Sequence, residues 1–470
     1  MVQTARLLEG TARNTNRWVV LAICSMSLFV VGLDTTIVNV ALPAIGQDLR
    51  VGTRGLQWAV DAYTIALASL LISSGALADR IGRRRVFQLG LVVFGVASVA
   101  CSLAPSMGVL IAARVAQGVG GSMLSPVALA IVVNVITNPK ERAQAIGVWA
   151  AVFGISMAAG PLVGGVLVSA LGWRSVFWAG VPIIVVVLLL TSVFVPESRA
   201  PQPRRLDGAG QLLLAVVVGG SVALLIEGPG IGWVSPGAII GYAVVVAAVA
   251  GFVWTESRHR EPLMNLRLFR RKPFTAAVLG AVVVFIALNM TLLLGTLYLQ
   301  QTRGMTPAMA GAITLPMAIA ATVCAPLSGF LIGRTGPRLP LLLAGGSITL
   351  GALCLVTLHD HTAIQVLLLA YLLIGAGIGF ANAPITNTAV SGLPAAQAGV
   401  AGGITSTARQ FGAAVGVAVA GSVIAHTEPA SLAQASRPAW MIVAACGLLL
   451  LAVARVSPTA AHERRASSLS

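Results

Sequence analysis

Charged residues are scarce in this chain of 470 residues: Asp, Glu, Lys and Arg together make up 9% of the sequence, whereas 57% of it is hydrophobic. Soluble domains carry about 25% charged residues, so this chain has too few of them to cover a water-facing surface. Long apolar runs take their place, and such runs cross membranes as helices. The sequence therefore predicts an all-α polytopic membrane protein.

Several catalytic signatures are missing as well. The sequence has no G-x-x-x-x-G-K-[ST] loop for binding ATP, and neither H-E-x-x-H nor G-x-S-x-G, which mark common proteases and hydrolases. Its five cysteines show no paired or metal-ligand spacing, and its five histidines fall in loops or at the ends of apolar runs. We therefore expect no enzyme, no metal site, no organic cofactor and no histidine proton relay.

Fourteen apolar runs are long enough to span a membrane. They are 18–43, 56–77, 86–104, 107–134, 143–169, 175–195, 208–226, 237–255, 274–299, 308–332, 339–358, 363–390, 397–425 and 439–456. Of the Lys and Arg residues, 23 fall on the side of the amino terminus and five on the other. The positive-inside rule thus predicts that both termini are cytoplasmic. The net charge is +16, and the basic residues that produce it lie in short clusters and form no continuous stripe. We therefore expect a lipid bilayer and no nucleic acid as partner.

The chain also contains an internal repeat. "GALADRIGRR" at 75–84 and "GFLIGRTGPR" at 329–338 share two glycines and two arginines at the same offsets, and "QGVGGSMLSP" from 117 has a weaker echo in "IGAGIGFANAP" from 374. Duplicated halves around a central cavity are typical of alternating-access transporters. We predict a six-helix bundle over 1–200, two inserted helices with their linkers over 201–272, and a second six-helix bundle over 273–470.

Four motifs resemble the signatures of the major facilitator superfamily. They are "LDTTIVNVALP" at 33–43, "GALADRIGRRR" at 75–85, "ARVAQGVGGS" at 113–122 and "GISMAAGPLVGG" at 154–165. With fourteen spans, the chain is similar to the fourteen-helix drug:proton antiporter branch and, through "LIEGPGIGW" at 225–233, to methylenomycin-resistance exporters. The resemblance implies the major facilitator fold, protons as coupling ion, a hydrophobic or cationic small-molecule substrate, a bacterial inner membrane and a functional monomer.

Asp34 lies inside the first span, where a charged side chain costs about 2.5–3.5 kcal/mol and usually serves a function. The resemblance implies proton coupling, and the alternative is a static hydrogen bond to Thr35 or Asn39. Arg114 lies about 12 Å below the outer end of span four, so it needs a partner at the depth of Asp34. The alternative for Arg114 is a static contact with backbone carbonyls.

Asp61 in span two has two open roles. It is either a second coupling carboxylate, as the resemblance suggests, or a residue near the outer headgroups beside Trp58 and Tyr63. Arg409 also has two open roles, since it can bind an anionic group of the substrate or tie helices together. The expected substrate cavity comprises Asp34, Asn39, Gln117, Asn289, Gln300, Asn382, Arg409 and Gln410.

Two further motifs have candidate roles. The loop after span two predicts a conformational latch, with positive-inside topology alone as the alternative; its residues are Gly75, Asp79, Arg80, Gly82, Arg83 and Arg84. The second copy has Gly333 in place of Asp79, so the latch should be one-sided. The resemblance implies that the glycine–proline motif of span five marks exporters, with generic helix packing as the alternative. Its residues are Gly154, Gly160, Pro161, Gly164 and Gly165.

Three functional hypotheses follow. The first is a proton-coupled antiporter that exports drug-like or antibiotic compounds by alternating access. The second is a dedicated exporter of one natural product or metabolite, as in self-resistance. The third is a membrane channel or receptor without proton coupling.

Overall fold

The computed structural model describes residues 17–200, 207–259, 262–390, 393, 395–425 and 431–456. Fourteen long helices make up most of these residues. They are α1 Arg17–Asp48, α2 Thr53–Ile81, α3 Arg83–Ser102, α4 Met107–Val135, α5 Pro139–Leu171, α6 Ser175–Phe194, α7 Gly208–Ile231, α8 Pro236–Arg258, α9 Lys272–Leu297, α10 Pro307–Thr335, α11 Arg338–Val356, α12 Ile364–Val390, α13 Ala395–Val423 and α14 Arg437–Val456. A π-helical turn, Tyr298–Thr302, extends α9.

Each predicted span coincides with one of these helices, and the ends agree within five residues. Thirteen of the described helices are long and apolar enough to cross a membrane. The fourteenth long helix, α13, carries Arg409 and Gln410 near its middle, which lowers its mean hydropathy. The all-α polytopic fold predicted from the sequence is thereby confirmed.

The two six-helix bundles repeat one packing pattern. In the first bundle α1 packs on α5, while α2 and α3 pack on α4; in the second bundle α9 packs on α13, while α10 and α11 pack on α12. Every pair in the second bundle thus lies eight helices after its counterpart. The bundle boundaries at residues 200 and 272 stay a prediction, and they fall in the connections on either side of α7 and α8.

Two symmetry-related contacts join the bundles: α5 packs on α10, and α2 packs on α13. The inserted helix α7 packs against both α2 and α13, and α8 packs on α7. Apolar side chains of α8 are exposed, among them Val244, Val246, Val253 and Trp254. Apolar residues exposed on this scale suit a surface in contact with lipid.

Glycines allow some of these helices to approach backbone to backbone. A Cβ atom on Gly120 of α4 would lie 2.5 Å from the backbone nitrogen of Phe94 and 2.9 Å from the carbonyl oxygen of Gly90, both on α3. Small residues at such positions hold membrane helices together by close packing, since lipid provides no hydrophobic driving force. By contrast, a Cβ atom on Gly108 of α4 would meet nothing within 4 Å.

We predict that Gly120→Ala destabilises the protein by about 1–3 kcal/mol, the usual cost of overpacking, because α3 and α4 must separate to admit the new methyl group. Thermal unfolding of the purified protein in detergent measures the effect. Gly108→Ala is the matched control and should unfold at the wild-type temperature. Equal melting temperatures for the two variants would contradict the close packing of α3 on α4.

Candidate functional site

Asp34 and Arg114 form a buried ion pair between α1 and α4. One guanidinium nitrogen of Arg114, Nη1, donates to Oδ2 of Asp34 at 2.7 Å, and the two side chains are 1% and 7% exposed. Gln117 donates from Nε2 to Oδ1 of Asp34 at 2.8 Å and accepts from Nη1 of Arg114 at 2.7 Å. Nε2 of Gln117 also donates to Oγ of Ser98 at 3.0 Å. Both carboxylate oxygens of Asp34 therefore have partners.

Arg114 is held by α2 as well as by Asp34. Its Nε donates to the carbonyl oxygen of Ala59 at 2.9 Å, and its guanidinium carbon lies 4.4 Å from the ring centre of Tyr63. A guanidinium over an aromatic face is attracted by the ring quadrupole. Arg114 thus keeps contacts with α2 that do not involve Asp34.

The cavity beside Asp34 lies within the first bundle. It is a small cavity between α1, α3 and α6, lined by Val30, Leu33, Asp34, Ile37, Phe94, Ser98, Val176, Phe177 and Gly180. Asp34 is the one charged residue of that lining. The carboxylate thus borders a space that is enclosed by helices of its own bundle.

Asp61 lies in the contact between the two bundles. It is fully buried, and neither of its carboxylate oxygens has a hydrogen-bond partner among the described residues. Gln57, one helical turn away on the same face of α2, donates to the carbonyl oxygen of Ala418 on α13 at 2.8 Å. Tyr63 is fully buried too and lies against Arg114, so it does not form an aromatic belt at the headgroups.

Arg409 occupies a second polar site in the second bundle. Its Nη2 donates to Oγ1 of Thr386 on α12 at 2.5 Å, and its guanidinium carbon lies 5.9 Å from the ring centre of Phe285 on α9. Arg409, Gln410 and Asn382 are partly exposed. These side chains share one region where α9, α12 and α13 meet.

The other expected cavity residues have partners elsewhere. Asn289 is buried and donates to the carbonyl oxygen of Phe285 at 3.0 Å, one turn back on α9. Asn39 donates to the carbonyl oxygen of Thr35 at 3.3 Å on α1. Gln300 donates to the carbonyl oxygen of Val40 at 3.0 Å, so it bridges the two bundles near the predicted outer side.

The glycine–proline motif of α5 packs against α1. Gly160 lies against Thr36, whose hydroxyl group occupies the space that a Cβ atom would need. A Cβ atom on Gly164 would lie 2.8 Å from Cγ1 of Ile37. Thr36 also donates to the carbonyl oxygen of Met157 at 3.2 Å. Two glycines one turn apart therefore admit α1 into direct contact with the backbone of α5.

The same motif also packs against the second bundle. A Cβ atom on Gly165 would lie 2.5 Å from the carbonyl oxygen of Pro307, and Gly311 of α10 lies directly against the carbonyl oxygen of Pro161. Gly154 differs from these residues, since a Cβ atom there would meet nothing within 4 Å. The motif thus divides into a contact part, from Gly160 onwards, and an open part at Gly154.

Comparisons with known proteins agree with this geometry. The family model described as Major Facilitator Superfamily matches residues 24–417. The multidrug resistance protein Stp of Mycobacterium tuberculosis is 41% identical over 89% of this chain and 78% of its own length. The chain belongs to the major facilitator superfamily.

Two relatives are named for single antibiotics. The tetracenomycin C resistance and export protein of Streptomyces glaucescens is 37% identical over 87% of this chain and 76% of its own length. The methylenomycin A resistance protein of Streptomyces coelicolor is 35% identical over 90% of this chain and 89% of its own length. Among solved structures, the nucleoside transporter NupG superposes with a TM-score of 0.66 at 14% identity, over 93% of this chain and 99% of that one. This major facilitator is accordingly a multi-pass membrane transporter and not an enzyme.

The loop after α2 in this major facilitator forms contacts within the first bundle. Nη2 of Arg83 donates to Oδ1 of Asp79 at 2.8 Å, and Nη1 of Arg83 reaches the carbonyl oxygen of Ala130 at 3.5 Å. Arg80 is exposed, and a Cβ atom on Gly75 would meet nothing within 4 Å.

Glu197 also contacts this loop, although its sequence position did not predict a role. Its Oε1 accepts from the backbone nitrogen of Arg84 at 3.1 Å, at the start of α3. Gly82 has φ of 124° and lies beside the Glu197 carboxylate, where a Cβ atom would be 2.7 Å from Oε1, so both its conformation and its surroundings favour glycine. The available signal was charge: Glu197 follows span six and faces the basic cluster 83–85.

We predict that Arg114→Gln destabilises this major facilitator by roughly 3–5 kcal/mol, because it leaves the buried Asp34 carboxylate without its charged partner. Adding Asn at position 34, in Asp34→Asn/Arg114→Gln, should restore part of that loss. Thermal unfolding of the purified variants in detergent measures both effects. A double variant less stable than Arg114→Gln would contradict this account.

Proposed function

We propose that this major facilitator is a proton-coupled antiporter that exports drug-like compounds by alternating access. On this proposal the chain acts as a monomer in a bacterial inner membrane, with both termini in the cytoplasm and protons as coupling ion. The observation that carries the proposal is the buried pair of Asp34 and Arg114, because its electrostatic balance changes when Asp34 binds a proton.

Protonation of Asp34 changes which contacts α1 makes. A neutral carboxyl group attracts the guanidinium of Arg114 far less than a carboxylate does, and this loss matters most in a buried place of low dielectric. Arg114 keeps its hydrogen bond to Ala59 and its contact with Tyr63. Proton binding therefore weakens the charged contact between α1 and α4 and leaves the hydrogen bond from Gln117, while Arg114 stays with α2, so the bundle can adopt a second arrangement.

The contact between α5 and α10 is the part of the structure that has to open during transport. Gly165 against Pro307 and Pro161 against Gly311 lie near the end of α5 that faces the predicted outer side. Close backbone packing holds this contact together with one hydrogen bond, from the backbone nitrogen of Ala308 to Oγ of Ser169 at 3.2 Å, so it can separate without breaking a charged pair. We infer that this contact closes the outer side when the substrate site faces the cytoplasm.

A dedicated exporter of one compound is the second candidate. Two relatives at 35–37% identity carry the names of single antibiotics, tetracenomycin C and methylenomycin A, whereas Stp is named a multidrug resistance protein. Uptake of a panel of unrelated dyes and antibiotics into everted vesicles, which corresponds to export from the cell, separates the two candidates. A channel or receptor without coupling is disfavoured by the duplicated bundles with a buried carboxylate.

We predict that Asp34→Asn abolishes export that depends on a pH gradient, because an amide cannot exchange a proton. The effect is measured as uptake of a fluorescent dye or labelled antibiotic into everted membrane vesicles under an imposed pH gradient. Immunoblotting establishes equal amounts of variant and wild type, and Asp48→Asn, a substitution of a carboxylate at the end of α1, serves as control. Gradient-driven export by Asp34→Asn would refute the coupling role, and export by the wild type without any gradient would refute antiport.

We predict that Gly165→Val lowers export at least tenfold, since its side chain would force α5 away from Pro307. Gly154→Ala should export at the wild-type rate, because a Cβ atom there meets nothing within 4 Å. The same vesicle assay compares the two variants. Loss of export in Gly154→Ala but not in Gly165→Val would reverse the division of the motif proposed above.

A further inference from the structure

The described helices of the second bundle contain no acidic residue. Between residues 272 and 456 the sequence has two, of which Asp360 lies in the loop between α11 and α12 and Glu428 lies outside the described residues. Arg409 is the cation in the middle of one of these helices, since the other basic residues of the bundle lie at helix ends or in loops. The membrane part of the second bundle is therefore positive in its centre.

In the first bundle, neither of the buried carboxylates is exposed enough to offset the positive charge of Arg409. Asp34 is 6% exposed and is paired with Arg114. Asp61 is fully buried between α2 and α13. Neither carboxylate presents an open negative group to a substrate in this state.

Arg409 differs from both because it is partly exposed. Its described partners are neutral: the hydroxyl group of Thr386 at 2.5 Å and the ring of Phe285 at 5.9 Å. A guanidinium has five N–H donors, and Thr386 occupies one of them. A charged side chain at mid-membrane depth usually faces a bundle interior or a water-filled cavity, where the remaining donors can meet an anion.

We infer that Arg409 forms the subsite for an anionic group, a carboxylate or phenolate, on the compound that this protein exports. The guanidinium fork matches a carboxylate through two parallel hydrogen bonds. Thr386 supplies a neutral polar group beside it, and Phe285 supplies an apolar surface for the rest of the compound. Asn382 lies one turn before Thr386 on α12, and Gln410 follows Arg409 in the sequence. This inference rests on the proposed export function, and it replaces the sequence-based expectation of a cationic substrate with an anionic one.

Binding of matched probes to the purified protein tests this subsite without any gradient. The probes are three forms of one fluorescent ring: 9-anthracenecarboxylate, its neutral amide and 9-(aminomethyl)anthracene. We expect the wild type to bind the carboxylate at least about tenfold more tightly than the amide or the amine, which corresponds to a charge-assisted hydrogen bond. Arg409→Gln should bring the carboxylate and the amide to within about twofold of each other, whereas Arg409→Lys should keep part of the preference.

Two controls separate a binding role from a structural one. Arg338→Gln removes one positive charge from an exposed position at the start of α11 and should leave the preference unchanged. Arg409→Glu should reverse the preference towards the amine, an outcome that a structural tie would not produce. The inference is overturned if the wild type binds the carboxylate no more tightly than the amide, or if Arg409→Gln weakens all three probes equally. Failure of the proposed function appears separately, as wild-type vesicles that export no compound of any charge.

Discussion

The buried pair of Asp34 and Arg114 is the interaction on which the first bundle depends. Both side chains are almost fully enclosed, and each ion would be costly there without the other. The surrounding polar groups complete the arrangement, because Gln117 bonds both members of the pair and Ala59 accepts from Arg114. Three helices, α1, α2 and α4, therefore meet at one electrostatic centre. On the proposed mechanism, a proton bound to the one carboxylate of this centre would change the contacts among all three helices.

The helix that bears Asp34 is held from two sides by different forces. Towards α4 it is held by charge, and towards α5 it is held by backbone packing over Gly160 and Gly164. Packing of this kind falls away steeply with small separations, since dispersion has a short range. A shift of α1 after proton binding would therefore change the position of α5. Through Gly165, α5 in turn contacts α10 of the second bundle. Contact continuity of this kind offers a route for coupling, and only measured coupling energies establish one.

Much of this arrangement can be predicted from sequence, because the membrane imposes one-dimensional rules. Hydropathy placed all fourteen helices, and depth along the helices indicated that Arg114 would partner Asp34. Rotation of each helix about its own axis is set by packing, so the sequence did not reveal that Tyr63 covers Arg114 or that Ser98 completes the site. Gln300 illustrates the same limit: it was expected in a cavity, but a π-helical turn directs it to the backbone of Val40. Glu197 was missed because loop contacts depend on where α6 ends relative to α3.

The inserted helices set a further condition on any movement of the bundles. α7 bonds both sides of the α2–α13 contact, since Gln211 donates to the carbonyl oxygen of Ser69 on α2 and Ser422 of α13 donates to that of Leu225. Near the predicted outer end, Glu227 accepts from Trp58 at 2.8 Å and pairs with Arg54 at 3.2 Å. If the bundles rock against each other, α7 has to slide along at least one of them. Hydrogen bonds between a side chain and a backbone carbonyl hold α7 near both ends, and Val222 and Ile226 of α7 pack against Ala414 and Ala418 of α13. The inserted helix α7 therefore covers the contact between α2 and α13 and does more than link two independent halves.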